Sequence, residues 1–230
     1  MKEANDFKIE SDLLYALMKD LSDADFREST QFKGWTLNDV LEHLHMWNWA
    51  AHESYVNEAG FLIFIDNVIS ETKGGSLKPY ERKWINGLSG RELLEVWRDF
   101  YVQMSLTFTE VDPKMRLKWA GPTMSARSSI SARLMETWAH GQEIYDHLSV
   151  VRKDGDHIKS IVVLGVNTFE WTYATRSEKP LGPLPYVRLT SPSGLIWEFG
   201  DVSNINLIEG LASQFCEVVT QVRNVSDTQL

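Results

Sequence analysis

A glutamate and a histidine four residues apart, Glu136 and His140, are the pair in this chain best suited to chemistry. In a helix that spacing puts both side chains on one face, one turn apart, where a carboxylate and an imidazole can bind one divalent ion. It serves a solvated Glu–His pair equally well, so spacing alone leaves both readings open. The pair belongs to a longer stripe, in which Arg133, Glu136, His140, Glu143 and His147 follow at steps of 3, 4, 3 and 4. Its flanks are mainly apolar or small: Ala132, Met135 and Ala139 on one side, and Ile130, Leu134, Gly141, Ile144 and Leu148 beyond the other, with Trp138 and Tyr145 at the edge. A solvated face more often grades into further Lys and Glu. His147 lies two turns from His140, too far to share an ion easily.

A third ligand would come from another segment. His43, His45 and His52 all fall in the stretch after Thr36. His43 shares a side with Val40 and Trp47, at the border of an apolar line. His45 aligns with Glu42, Trp49 and His52 on a more polar side. Periodicity favours His43 as the inward one only slightly, and a histidine at a core edge suits a structural role as well as a ligand. His157 sits in a charged turn and is expected in solvent. Cys216, the one cysteine, lies on an apolar helical face and reads as a buried structural thiol, not a nucleophile.

The elements that must position these residues are mostly helical. Apolar spacing predicts a helix over 10–21, a turn or short helix at 23–27, and a helix from Thr36 to about Ala59, with Thr36 as N-cap and Asp39 as its partner. Residues 61–70 read as helix or irregular structure, and 73–76 as a flexible break. Ser89 to Val111 is expected as a helix, 114–123 as an extended loop, and Ser125 to Ser149 as the helix bearing the stripe. After a charged turn at 151–156, residues 157–176 read as one helix and 177–185 as a loop. Two short strands, 186–189 and 195–199, are joined by a hairpin turn, and 206–223 returns to helical spacing. The expected architecture is a four-helix bundle over 1–153, of the up-down-down-up type, followed by a small α+β domain over 154–230.

Composition narrows the function. With 23 Lys and Arg against 32 Asp and Glu, the net charge of −9 excludes a nucleic-acid grip, which needs a basic face. A 43% hydrophobic chain with nine tryptophans is not intrinsically disordered. One cysteine rules out an internal disulfide or a thiolate metal cluster and points to a reducing compartment. No stretch approaches the ~20 apolar residues of a membrane span, and the first ten residues carry no targeting signal, so the expectation is a cytoplasmic protein, monomer or homodimer.

Two motifs together resemble one family. Gly34-Trp35-Thr36, followed after six residues by His43-Leu44, resembles the signature of DinB-like metal-binding bundles, particularly the branch of mycothiol-dependent maleylpyruvate isomerases. Arg133-x-x-Glu136-x-x-x-His140-x-x-Glu143 resembles that branch's RxxExxxHxxD pattern, departing at Glu143, where Asp is usual. The C-terminal part, notably 215–223, is similar to the accessory domain of the branch, and Trp119-x-Gly-Pro-x-Met-Ser125 is similar to a segment of an uncharacterised metal-binding subfamily. The resemblance implies His43, Glu136 and His140 as ligands of a divalent metal with an open position. Zinc is the first expectation, and nickel, manganese or iron satisfy the same donors. It also implies Arg133 and Glu143 behind the ligands, and a low-molecular-weight thiol activated by the metal for S-transfer or for isomerisation of a small diacid. Trp47, Trp119 and Trp138 are candidate pocket walls. A diacid needs cationic anchors, for which Arg133, Arg188 and Arg223 are candidates, Arg223 being the one carried forward. A non-catalytic metal- or ligand-binding module of the same fold is the alternative. Members of this branch continue beyond the point matching Leu230, which leaves open whether the C-terminal domain is truncated there.

Overall fold

The computed structural model describes all 230 residues, which divide into two compact units, Met1–Val151 and Arg152–Leu230. The first contains helices α1 (Lys2–Met18), α2 (Leu37–Val56), α3 (Glu58–Thr72), α4 (Lys78–Ile85), α5 (Gly90–Glu110) and α6 (Ala126–His147). Four of them form the bundle: α1 and α2 each pack against both α5 and α6. The interior is closed by side chains from all four, including Phe7 and Leu14, Leu41 and Leu44, Trp97 and Phe108, and Ile130 and Leu134. Helices α3 and α4 lean on α2 from outside.

Several boundaries differ from the sequence expectation, each for a physical reason. Helix α1 starts eight residues early, because Asp6 and Glu10 are buried along its inner face and interrupt the apolar signal. Asn57 ends α2 before Ala59 and at once opens α3, its Oδ1 accepting from the Gly60 N–H at 3.1 Å, so Gly60 lies inside a helix. Helix α4 was not foreseen: it follows the Gly74–Gly75 break and opens with Pro79 in its first turn, where a missing N–H costs nothing. The 114–123 loop is flanked by two-residue strands, β1 (Arg116–Leu117) and β2 (Met124–Ser125), which pair antiparallel and project Trp119 from between them.

The N-terminus of α2 holds the bundle's most elaborate cap. Thr36 Oγ1 accepts from the Asp39 N–H at 3.0 Å, and Asp39 Oδ2 accepts from the Thr36 N–H at 2.8 Å, a complete capping box. Asp39 is also paired with Lys78 and Arg82, each at 2.8 Å, which ties α4 to the start of α2. Ahead of the cap, Lys33 and Gly34 take left-handed backbone (φ 50° and 65°) and turn the chain so that Trp35 precedes the helix.

The second unit is built on a three-stranded sheet of order β4-β3-β5, from β3 (Tyr186–Thr190), β4 (Ile196–Phe199) and β5 (Leu207–Leu211). Strands β3 and β4 form the expected hairpin, with Leu189 opposite Trp197. Strand β5 runs parallel to β3, which corrects the helical reading of 206–211. Leu207 and Leu211, four apart, fit either period; Gly210 weakens a helix, and the free edge of β3 supplies a hydrogen-bonding partner. The 157–176 segment is likewise two helices, α7 (Lys159–Asn167) and α8 (Phe169–Ala174), interrupted at Thr168, whose hydroxyl donates back to the Leu164 carbonyl at 2.9 Å. Helix α9 (Ala212–Val219) carries Cys216, fully buried, its Sγ 3.9 Å from the Ile158 carbonyl. His157, expected in solvent, is buried. No helix in the chain is long and apolar enough to cross a membrane.

The cap predicts an acid dependence. Burial alone would raise the Asp39 carboxyl, but Lys78, the Thr36 N–H and Arg82 hold it at about 2. A carboxylate depressed on folding stabilises fully above its unfolded value and loses that contribution as pH falls through the folded one. About 2 kcal/mol is therefore expected to vanish between pH 4 and pH 2. Urea denaturation of wild type and Asp39→Ala should differ by that amount at pH 7 and converge at pH 2.

Candidate metal centre

His43 stands one and a half turns inside α2, and Glu136 and His140 stand one turn apart on α6, which packs against α2. The fold brings all three together. Ligand atoms of His43, Glu136 and His140 lie within 4.8 Å of one another. His43 Nε2 is 3.2 Å and His140 Nε2 3.3 Å from the same oxygen, Glu136 Oε2. Donors at about 2.0–2.1 Å in a tetrahedron about zinc sit roughly 3.4 Å apart, so two of the three edges already have that length. The chemistry of the set also fits: two imidazoles and a carboxylate suit a divalent cation and leave a coordination position for a small molecule. Each side chain keeps an edge in reach of solvent, 12% exposed for His43, 16% for His140 and 25% for Glu136.

Residues behind the ligands orient them. His43 Nδ1 is 2.8 Å from Oε1 of Glu81 on α4, a carboxylate only 1% exposed. Donation from Nδ1–H to Glu81 directs Nε2 toward Glu136, the arrangement by which carboxylates set the tautomer of metal-binding histidines. Trp35 stacks flat on His140, with centroids 5.5 Å apart and planes within 7°, and Phe32 meets the same ring edge-on at 5.5 Å. Trp35 also lies 5.4 Å from His43, so one indole braces both imidazoles.

The electrostatics follow from burial and pairing. Burial would raise the Glu136 carboxyl, but hydrogen bonds from His140 and His43, and the nearby Arg133 charge, hold it well below the usual range. Burial pushes His43 down, yet its bonds to Glu136 and Glu81 leave it above an ordinary histidine. His140 is pushed down by burial and by the charge on His43, which outweigh its bond to Glu136. His43 thus stands between two carboxylates, Glu136 at Nε2 and Glu81 at Nδ1.

The other residues singled out by sequence fall in different places. Arg133 is buried one turn before Glu136, its guanidinium 5.3 Å from the centroid of Trp119. Trp119 stacks on Phe61 at 5.9 Å and meets Trp47 at 5.6 Å, and Trp47 is 6.3 Å from His43. Trp47 and Trp119 thus line one flank of the site. Trp138 is 1% exposed in the bundle core and stands about 200° around α6 from Glu136, on the far side. Glu143 is half-buried one turn beyond His140. His45, read as facing a polar side, is buried against Trp84 and Phe100, where burial pushes it down to about 4. His147 is 3.0 Å from Glu28 and stands apart from the triad. Arg188 and Arg223 belong to the second unit, where Arg188 pairs with Glu209 across the sheet and Arg223 follows α9.

Sequence reasoning missed Glu81, Trp35 and Phe32 as parts of the site. Trp35 had a signal in the Gly34-Trp35-Thr36 motif. Glu81 had a weaker one, Pro79 opening a helix whose Glu81 could face inward.

The model of the mycothiol maleylpyruvate isomerase N-terminal domain matches residues 7–145. Two uncharacterized proteins, from two strains of Mycobacterium tuberculosis, are each 33% identical over 221 residues, covering 96% of this chain and 85% of the relative. Among solved structures, the crystal structure of the mycothiol-dependent maleylpyruvate isomerase is similar, with a TM-score of 0.60 at 13% identity over 95% of this chain and 87% of that one. A mutant of the same enzyme gives 0.59 with the same identity and coverage. At that identity the likeness concerns the fold.

A titration follows from the site. In metal-free protein, imidazole NMR should place His43 above and His140 below the ordinary histidine value, and Glu136→Gln should lower His43. Because His43 is raised on folding, its stabilisation is full below pH about 6.5 and is lost as pH rises through its folded value. A His43 that titrates unchanged in Glu136→Gln would contradict the contact.

Proposed function

This chain belongs to the mycothiol maleylpyruvate isomerase N-terminal domain family, and from that premise we propose that it is a metal-dependent enzyme acting with a low-molecular-weight thiol. His43 Nε2, a Glu136 oxygen and His140 Nε2 hold one divalent ion, zinc first among the candidates. Bound there, the ion supplies Lewis-acid chemistry: it lowers the pKa of a thiol or polarises a carbonyl. The observation that carries this reading is the convergence of two imidazoles from two helices on one carboxylate oxygen, at 3.2 and 3.3 Å.

The chain's own residues do the rest. Glu81 keeps the Nδ1 proton of His43 and so frees Nε2 as a donor to the ion. Trp35 and Phe32 fix the plane of His140. Trp47 and Trp119 wall one flank of the site. The lone cysteine is fully buried, so the reacting sulfur comes from a bound cofactor, mycothiol or a thiol like it. The reaction is either transfer of that sulfur to an electrophile or thiol-assisted isomerisation of a small acid. A reducing, cytoplasmic setting agrees with both.

Metal analysis of the purified protein tests this. One divalent ion per chain is expected in wild type, with near-complete loss in His43→Ala, Glu136→Ala and His140→Ala. Glu81→Ala should retain the ligand set but bind about 10–100-fold more weakly. Thiol consumption, assayed with mycothiol and an electrophile, should require the metal and fail in His140→Ala. Full metal content in that variant would refute the ligand assignment.

A further inference from the structure

We propose that Arg133 and the indole N–H of Trp47 form an anion seat beside the three ligands, which takes a carboxylate of the substrate. The proposal rests on the reading that the triad holds a metal and deepens it by assigning the residues that grip the acid.

The guanidinium of Arg133 is 4% exposed, and its Nε and Nη1 are buried without a hydrogen-bond partner. Trp47 is 9% exposed, and its Nε1 is equally buried and unpaired. Buried N–H groups with no acceptor are costly, and those of a cation more so. Glu136, one turn along α6, attracts Arg133 through space, but its Oε2 is already taken by two imidazoles. Both unpaired groups pack on the same ring: Arg133 lies 5.3 Å and Trp47 5.6 Å from Trp119. Each stands about one turn from a ligand, Arg133 from Glu136 on α6 and Trp47 from His43 on α2. Residues with unpaired donors, one from each helix of the triad, therefore border one ring, Trp119.

Charge and shape both select a carboxylate. A divalent ion and Arg133 together outweigh Glu136 and Glu81 by one positive unit, which an anion would neutralise. A planar guanidinium presents its N–H groups as a fork, matching a planar carboxylate better than a bulkier anion. One helical turn is about 5.4 Å, so a three- or four-carbon acid seated on Arg133 reaches the position the triad surrounds.

The test uses the full chain, zinc-loaded and chelator-treated, with succinate as probe and uncharged succinamide as control. Tryptophan fluorescence and thermal melting are the readouts. Succinate should perturb the fluorescence and raise the melting temperature, and succinamide should do neither. Arg133→Met should hold as much zinc as wild type, melt no lower without ligand, and bind succinate at least about tenfold more weakly. Trp47→Phe, which keeps an aromatic ring but loses the pyrrole half of the indole with its N–H, should bind about fivefold more weakly. Equal succinate affinity in wild type and Arg133→Met overturns the proposal. So does an Arg133→Met protein that loses zinc and melts lower, since Arg133 would then be a structural support. If Arg133→Met does not fold, unchanged affinity in Trp47→Phe overturns it. If wild type binds no zinc yet chelator-treated protein takes succinate in an Arg133-dependent way, the seat stands and the metal reading falls.

Discussion

A carboxylate drawn into a helix bundle has to be compensated by cations or N–H donors, because desolvating a charge costs several kcal/mol even after the protein relaxes. Glu136 is that carboxylate. It meets the requirement with His140 from its own helix and His43 from α2, both on a single oxygen. Compensation across two helices works only over a narrow range of relative positions of α2 and α6, since a hydrogen bond needs its heavy atoms about 3 Å apart and well aligned. The register of the two helices and the geometry of the site are therefore one constraint. Much of the first unit can be read as support for it. The Thr36–Asp39 cap sets where α2 begins and hence where His43 stands. Lys78 and Arg82 bind α4 to that cap, and α4 in turn delivers Glu81 to the far side of the His43 ring.

The same helix carries opposite demands on its two sides. Toward α6, α2 presents His43, paired at both nitrogens. Toward α5 it presents His45, buried between Trp84 and Phe100 with Nδ1 unpaired, and kept neutral by burial. Glu42 lies between them, buried and pushed up to about 7 by desolvation and by the neighbouring Asp39 and Glu81 carboxylates. Such groups weaken a bundle, and the large apolar interior of α1, α5 and α6 offsets them, with Phe7, Trp97, Tyr101, Phe108 and Ile130 nearly or wholly enclosed. These buried polar groups concentrate the electrostatic cost of the bundle around one carboxylate.

How far the sequence discloses this depends on whether an interaction is local. Glu136 and His140 are legible because their relation is internal to one helix, and the apolar flanks of the stripe point inward. The capping box is legible for the same reason. His43 is not separable from His45 by periodicity with any force, since both lie near the border of the apolar line; only the motif with Gly34-Trp35-Thr36 singled it out. Glu81 belongs to a short helix whose position is set by ion pairs to Asp39, forty residues earlier in the chain, and local pattern carries no trace of that. In the second unit, β5 was read as helix because leucines four apart satisfy both periods, and the edge of β3 that decides the matter lies about twenty residues upstream.

The division between helices and loops bears on what can vary. The three ligands stand on helices, where packing fixes them to within small displacements. Apart from Trp47 on α2, the rings that surround them do not: Trp35 and Phe32 come from the turn before α2, and Trp119 from the loop between β1 and β2. Loops tolerate substitution that packed helices resist. A bundle of this kind can therefore keep the triad in place while the rings around it change. The Arg133 stem, rooted on α6 but lying against the loop-borne Trp119, sits where those two regimes meet. Its charge is held in place by the invariable geometry of a helix, while the ring beneath it belongs to the adjustable part. An anion seated on Arg133, as proposed, would be coupled to the triad through a single turn of α6, and the shape of the surroundings would be left to the loops.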